Sequence, residues 1–224
     1  MTGRVLHHLP LLPLCRKVRV ALHEKALEAE LRPEAPWERR EELLQLNPAA
    51  EVPVLVEPDG TTLCDSVAIC EYLEETYPDR KLLPGDARER AEARRLVAWF
   101  DGKFHREVSV NLLEEKLLKR IQGRGEPNAS AIRAGAVNIR HHLDYVGYLV
   151  ERRNWLAGDW FSFADIAAAA QLSAIDYLGD VPWEQNEAAK DWYARIKSRP
   201  SFRTILSDHI AGLPPPKHYA DLDF

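Results

Sequence analysis

The chain has 224 residues, of which 46% are apolar, and a formal net charge of −5. This length suits one large domain or two small ones, and the apolar fraction is ordinary for a folded globular protein. A negative charge spread along the sequence argues against nucleic acid as the main partner. No apolar run approaches the roughly 20 residues of a membrane-spanning helix, and the first residues lack a signal peptide's apolar core. We therefore expect no membrane insertion and a cytoplasmic location.

The three cysteines, Cys15, Cys64 and Cys70, cannot all pair with one another within the chain. None of them belongs to a C-x-x-C motif or lies near a plausible set of metal ligands. We therefore expect reduced thiols, which fit a cytosolic protein, and no metal site.

The first part of the sequence, up to about Asp86, predicts short elements separated by prolines. Runs of strand-forming residues favour strands, and Asp59-Gly60 is typical of a hairpin turn between two of them. This order of elements predicts a small mixed sheet covered by helices, which is an α/β fold. The predicted strands are residues 5–7, 29–32, 52–56 and 61–63, and the predicted helices are residues 16–25 and 65–77.

The rest of the sequence predicts long helices. Apolar residues recur every three or four positions, which is typical of amphipathic helices. Ser162 lies three residues before Asp165, and this is the spacing of a capping box at the start of a helix. The predicted helices are residues 88–120, 132–150 and 184–198 and one that begins at Ser162, and the link between two domains is expected near residues 84–86.

Five motifs along the chain occur in the order found in the glutathione transferases. Residues 46–55 contain the Val52-Pro53 pair, which has a cis peptide bond in that family. Residues 65–69 resemble the family's acidic-Ser-x-x-Ile helix start. The chain therefore resembles the glutathione transferases over nearly its whole length. The remaining matches are residues 16–19, the Ser162 capping box and residues 199–202.

The resemblance implies a fold for each part of the chain. The expected parts are a thioredoxin-like N-terminal domain at residues 1–84, an all-helical C-terminal domain at residues 88–212, and an extended C-terminal tail at residues 213–224.

The resemblance also implies remnants of a glutathione site at Val52, Asp65 and Ser66. A hydroxyl and the free N–H groups of a helix N-terminus suit a carboxylate. Structural explanations are equally open, because a Val-Pro pair can be a requirement of the fold, and Asp65 and Ser66 can cap their helix. We do not expect glutathione as a cofactor.

The loop after the first strand lacks the group with which the family stabilises a thiolate. The family has Tyr, Ser or Cys at that position, and the matching residue here is Leu12. We therefore expect no catalytic residue. The alternative is a cytosolic glutathione transferase or peroxidase with an atypical thiol-activating residue, either Cys15 at the start of the first helix or one of His7 and His8. Burial of the thiol and packing of the histidines are the simpler interpretations.

The C-terminal residues 213–224 follow the last predicted helix. Three prolines impose a stiff, extended start, and apolar and acidic residues then alternate up to the end. Such side chains suit a docking peptide, although they can also fold back on the protein's own surface. Trp37, with arginines close by, is likewise either an interface residue or a cover for an adjacent helix. The partner-binding candidates are Trp37, Tyr219, Asp221, Leu222, Asp223 and Phe224.

These features are similar to those of one subgroup, the transferase-like bacterial division regulators that bind the tubulin-like protein FtsZ. The resemblance implies a homodimeric, non-catalytic protein that binds FtsZ filaments at the division site, alters their shape and promotes constriction. It also implies that the tail meets a second partner in the division or cell-wall-synthesis machinery. The matching segments are residues 99–104, 143–147, 176–183 and 219–224.

Overall fold

The computed structural model describes residues 3–222. Within them the chain forms two compact units that divide between Leu82 and Leu83. Buried apolar side chains occur in both units, so each has a hydrophobic core. No helix among the described residues is both long and apolar enough to cross a membrane.

Residues 3–82 form a four-stranded mixed sheet with accompanying helices. The strand order is β2-β1-β3-β4, in which β1 is parallel to β2 and antiparallel to β3, and β4 is antiparallel to β3. This arrangement confirms the predicted α/β fold. The elements are β1 (Val5–His8), α1 (Pro13–Glu24), β2 (Glu30–Pro33), α2 (Glu41–Leu46), β3 (Val54–Val56), β4 (Thr62–Cys64) and α3 (Ser66–Thr76).

Burial and proline chemistry explain where these elements form. β1 is buried along its whole length, and Val54 and Leu55 of β3 are fully buried beside it. α1 begins at Pro13, three residues before the predicted start. Proline suits the first helical turn, because the N–H that it lacks would have no partner within the helix there. The cis peptide bond expected between Val52 and Pro53 is present.

Residues 83–222 are helical, which confirms the predicted all-α fold of this part. The long helix predicted at residues 88–120 corresponds to three consecutive helical stretches. The elements are α4 (Ala87–Ala98), a π-helical segment (Trp99–Leu118), α5 (Lys119–Gln122), α6 (Ala129–Val150), α7 (Phe163–Tyr177), α8 (Glu187–Lys197) and α9 (Pro200–Leu206).

The π-helical segment is wider than an α-helix. A π-helix has hydrogen bonds between residues five apart, and at the end of this segment the N–H of Lys119 donates to the carbonyl of Glu114. One side of the segment is buried, which agrees with the apolar stripe in the sequence. Its buried residues are Phe100, Phe104, Val108, Ser109, Leu112, Leu113 and Leu117.

α7 is the central helix of the C-terminal unit. Every residue of α7 is buried, and the helix packs against α4, the π-helical segment and α8. Oγ of Ser109 in the π-helical segment donates a 2.6 Å hydrogen bond to Oε1 of Gln171 in α7. Because water does not reach this helix, its polar side chains depend on partners within the protein.

The start of α7 has the capping box predicted from the sequence. Oγ of Ser162 accepts a hydrogen bond from the N–H of Ala164 at 3.2 Å, and Asp165 accepts one from the N–H of Ser162 at 3.1 Å. Asp165 is fully buried and also accepts from the N–H of Leu156 and from Nε1–H of Trp192, each at 3.0 Å. Burial raises the pKa of Asp165 to about 6, although these donors favour the ionised carboxylate. One carboxylate therefore connects the loop before α7, the start of α7, and α8.

We predict that Asp165→Ala lowers the free energy of unfolding by about 3 kcal/mol or more, because it leaves several buried donors without an acceptor. Ser162→Ala is the matched control, and we expect it to cost about 1 kcal/mol, the usual value of a lost N-cap. Urea denaturation of the two variants measures the difference. Equal losses would show that Asp165 does no more than cap the helix.

Candidate functional site

The loop between β1 and α1 has an aliphatic residue at the position where the resemblance places a thiol-stabilising group. Leu12 is the N-cap residue of α1, and its side chain makes no capping hydrogen bond. It packs against a buried cluster that contains Cys15, Leu43 and Val54. The side chain therefore contributes to the core and offers no donor to a thiolate.

Cys15 is completely buried in the first turns of α1. Burial raises the pKa of this thiol to about 12, although the N–H of Leu9, which donates to its sulfur at 3.4 Å, and the charge of Arg19 oppose the shift. Near neutral pH the thiol is protonated and inaccessible, so it is a poor nucleophile. The structure therefore agrees with the interpretation of Cys15 as a buried thiol and not with its interpretation as a thiol-activating residue.

The two histidines at the end of β1 are also buried. Nδ1 of His7 donates a 2.8 Å hydrogen bond to Oε1 of Glu34, whose side chain is itself only 4% exposed. His8 is 3% exposed. Both rings therefore lie inside the N-terminal unit, which agrees with the packing interpretation.

The three candidates for a glutathione site lie at β3 and at the start of α3. Val52 is buried and precedes the cis proline. Asp65 has a left-handed backbone with φ of 73°, and its Oδ1 accepts hydrogen bonds from the N–H groups of Val67 at 2.7 Å and Ala68 at 3.1 Å. Asp65 thus caps α3 and occupies two donors that a bound carboxylate would otherwise use. Ser66 is buried, and a role in binding glutathione stays a prediction for all three residues.

Trp37 lies in a short 3-10 turn, Pro36–Glu38, between β2 and α2, and it is partly exposed. An ion pair closes the loop around this turn, because a guanidinium nitrogen of Arg40 donates to both carboxylate oxygens of Glu34, at 3.2 and 3.0 Å. Glu34 also holds His7 of β1. These contacts of Glu34 hold the loop that carries Trp37 against the sheet.

The C-terminal tail was predicted to be extended, but the structure contains a turn within it. Residues 217–219 form a 3-10 turn, and the side chain of Tyr219 is completely buried. Its ring packs edge to face on Tyr177 with 5.2 Å between centroids, and its hydroxyl donates to the carbonyl of Ile205 at 3.4 Å. The expectation that Tyr219 is a free docking residue is therefore corrected: its ring folds back because Tyr177 gives it an apolar surface within the same unit.

The other tail candidates have different environments. Asp221 is exposed and Leu222 is partly exposed. Asp223 and Phe224 lie outside the described residues. Partner binding by these four residues stays a prediction.

Sequence reasoning missed a polar cluster at the end of α7. Asp176 is fully buried, and its Oδ1 accepts hydrogen bonds from Nε1–H of Trp183 at 2.8 Å and from Nε2–H of His218 at 3.0 Å. Nζ of Lys197 donates to the carbonyl of His218 at 2.9 Å. The hydrogen bond to Asp176 raises the pKa of His218. The available signal was an aspartate near the end of a mostly apolar helix, with a histidine in the tail as a possible partner.

Comparisons with known proteins agree with this fold. The N-terminal domain of glutathione S-transferases matches residues 6–81, and the C-terminal domain of glutathione S-transferases matches residues 126–200. The chain is also 50% identical to FtsZ-localized protein A of Caulobacter vibrioides over 99% of this chain and 98% of that protein. The chain belongs to the glutathione S-transferase family.

Two solved structures of this family superimpose on the chain almost completely. A glutathione S-transferase from Rhodospirillum rubrum F11 has 58% identity and a TM-score of 0.97, with 99% of this chain and 100% of that one covered. FzlA from C. crescentus has 50% identity and a TM-score of 0.97, with both chains covered completely. The transferase fold thus extends over the whole chain, including its last helices.

We predict that Cys15 resists alkylation in the folded protein because its thiol is buried and its pKa is high. Cys64, which is partly exposed, is the internal control and should react first. Iodoacetamide labelling at pH 8, followed by peptide mass spectrometry, measures both rates, and denaturant should abolish the difference. Labelling of Cys15 as fast as that of Cys64 would restore it as a candidate nucleophile.

Proposed function

We propose that this chain is a non-catalytic regulator that binds FtsZ filaments at the bacterial division site and promotes constriction. The observation that carries the proposal is the 50% identity to FtsZ-localized protein A, which covers 99% of this chain and 98% of that protein. An alignment that covers nearly all of both chains supports a common role better than a match confined to one domain would. The proposed location is the cytoplasm, because FtsZ filaments assemble there.

The loop after β1 supports a role without catalysis. Leu12 provides no hydroxyl or thiol, and Cys15 is buried with a pKa of about 12. The alternative, a transferase or peroxidase with an atypical activating residue, depends on Cys15, His7 or His8, and all three side chains are buried. The N–H of Leu9 favours the thiolate of Cys15, but burial outweighs it.

Trp37 is the proposed contact with FtsZ. Tryptophan and arginine are the side chains that most often dominate binding energy at protein interfaces, and Trp37 is followed closely by the exposed Arg39 and Arg40. The ion pair between Arg40 and Glu34 fixes the loop. A fixed loop loses little conformational entropy when it binds, so the full contact of the tryptophan ring contributes to affinity.

A homodimer would strengthen binding to a filament. Two copies of Trp37 in one dimer can contact two subunits of the same filament. The second contact then forms at a high effective concentration, which raises the overall affinity without any new interaction. The same bivalency gives the protein a means to alter the shape of the filament.

The tail is the proposed site for a second partner in the division or cell-wall-synthesis machinery. The residues that remain for this role are Asp221, Leu222, Asp223 and Phe224, since the ring of Tyr219 is buried. They alternate acidic and apolar side chains, and this pattern suits a short peptide that binds in an extended conformation.

We predict that the protein co-sediments with FtsZ filaments assembled with GTP. Trp37→Ala should weaken this binding at least about tenfold, because a tryptophan at the centre of an interface often dominates its affinity. Trp160→Ala is the matched control, because Trp160 is 63% exposed and has no assigned role. Binding curves from pelleting measure both variants. No pelleting of the unaltered protein at tens of micromolar would overturn the FtsZ proposal, and equal binding by Trp37→Ala would remove Trp37 from the contact.

We predict that a chain ending at Ala220 still pellets with FtsZ but does not restore constriction in cells that lack the full-length protein. The deleted residues lie beyond the buried Tyr219, so the truncated chain keeps its core contacts. Cell length and constriction rate in complemented cells measure the effect. Full restoration of constriction would overturn the role of the tail, and loss of pelleting would show that the tail itself contacts FtsZ.

A further inference from the structure

The segment that follows α9 is held against α7 by the hydroxyl of Tyr177. This hydroxyl donates to the carbonyl of Leu213 at 2.7 Å and accepts from the N–H of Ile210 at 2.8 Å. The ring of the same tyrosine supports the ring of Tyr219. The chain from Ile210 to Tyr219 is therefore part of the helical unit.

Asp176, the neighbour of Tyr177, provides a charged contact at the same place. Its side chain is fully buried, and its Oδ1 binds His218 and Trp183. Within the part of the chain that the structure describes, its Oδ2 accepts no hydrogen bond. A buried carboxylate with unused acceptor capacity is costly unless positive charge lies nearby. Lys197 and His218, whose side chain is 38% exposed, both lie within reach of this carboxylate, so protonation of His218 changes its stabilisation.

We propose that Asp176 and His218 form a protonation-dependent latch that fixes the point at which the C-terminal tail leaves the helical unit. In the latched state the imidazolium of His218 pairs with Asp176. Loss of the proton leaves a neutral imidazole, whose hydrogen bond to the carboxylate is weaker than the ion pair, and the 3-10 turn at residues 217–219 loosens while the Tyr219 ring still holds it. The consequence for a second partner rests on the proposed function; the latch itself does not.

The charges around His218 come from three segments. Asp176 of α7 attracts a proton to the ring, Lys197 of α8 repels it, and Asp221 of the tail lies near Lys197 and partly offsets its charge. Asp180, which follows α7, is already bound to Lys116 at 2.6 Å.

The balance of these charges gives the sign of the pH dependence. The pKa of His218 is raised above its ordinary value, with the hydrogen bond to Asp176 as the largest cause. The stabilisation from the ion pair is then fully present below about pH 6.5, the ordinary pKa of histidine, and is lost as the pH rises through the higher folded value. The latch is therefore closed in mildly acidic solution and weaker in alkaline solution.

Hydrogen exchange of the full-length protein tests this latch. The amides of Tyr219 and Asp221 donate to the carbonyls of Pro216 and His218, so they report the turn directly. We expect their protection, corrected for intrinsic exchange rates, to fall about threefold between pH 6 and pH 8.5, the size expected for the loss of a partly exposed ion pair. Peptides from α8 should show no such change.

Two variants decide whether His218 is the cause. His218→Gln keeps an N–H donor but cannot be charged, so its protection should be low and independent of pH. His209→Gln removes an exposed histidine upstream and should keep the profile of the unaltered protein. Asp176→Asn, which removes the carboxylate charge, should also give a flat profile. An unchanged pH profile in His218→Gln, or a flat profile in the unaltered protein, would overturn the latch.

The same variants separate this proposal from the proposed function. Each is assayed for pelleting with FtsZ and for constriction in cells, as above. A pH-dependent latch together with normal constriction by the chain ending at Ala220 would support the latch and overturn the second partner. An unchanged profile in His218→Gln together with failed constriction by the chain ending at Ala220 would overturn the latch and support the second partner.

Discussion

In a helix that is buried on every side, polar side chains cannot form hydrogen bonds with water and need partners within the protein. The buried helix α7 has an aspartate near each end. Asp165 and Asp176 are both completely buried. Asp165 takes donors from the preceding loop and from α8, and Asp176 takes them from Trp183 and from His218 in the tail. Segments far apart in sequence therefore meet at two carboxylates. The order of the C-terminal unit depends on satisfying these two groups, because each unmet buried donor or acceptor costs free energy.

In the N-terminal unit, burial takes side chains near the start of α1 out of reach of a substrate. The core beneath α1 includes Cys15, and Leu12 packs against the same cluster. Residues at the positions that could stabilise a thiolate therefore pack in the core. Separately, the hydrogen bonds among His7, Glu34 and Arg40 fix the loop that carries Trp37. The unit thus keeps the transferase fold, and its function has to be argued from its site residues, because one fold can serve many functions.

Much of the fold followed from local patterns, because each pattern has a local cause. The capping box at Ser162, the helical periodicities and the cis Val52-Pro53 bond are features of neighbouring residues. The site was less predictable. The burial of Tyr219 depends on Tyr177, 42 residues earlier in the chain, and the role of Asp176 depends on His218. Contacts over such separations leave no periodic trace, so the sequence could show only that the tail was unusual.

The buried ring of Tyr219 also determines how far the tail can reach. Residues 213–219 would span up to about 25 Å if they were fully extended, at roughly 3.5 Å for each residue. Because the ring of Tyr219 is held against Tyr177, this segment stays on the helical unit and cannot reach outward. A partner that binds Asp221 must therefore also come into contact with the helical unit, and it excludes any other large molecule from that part of the surface.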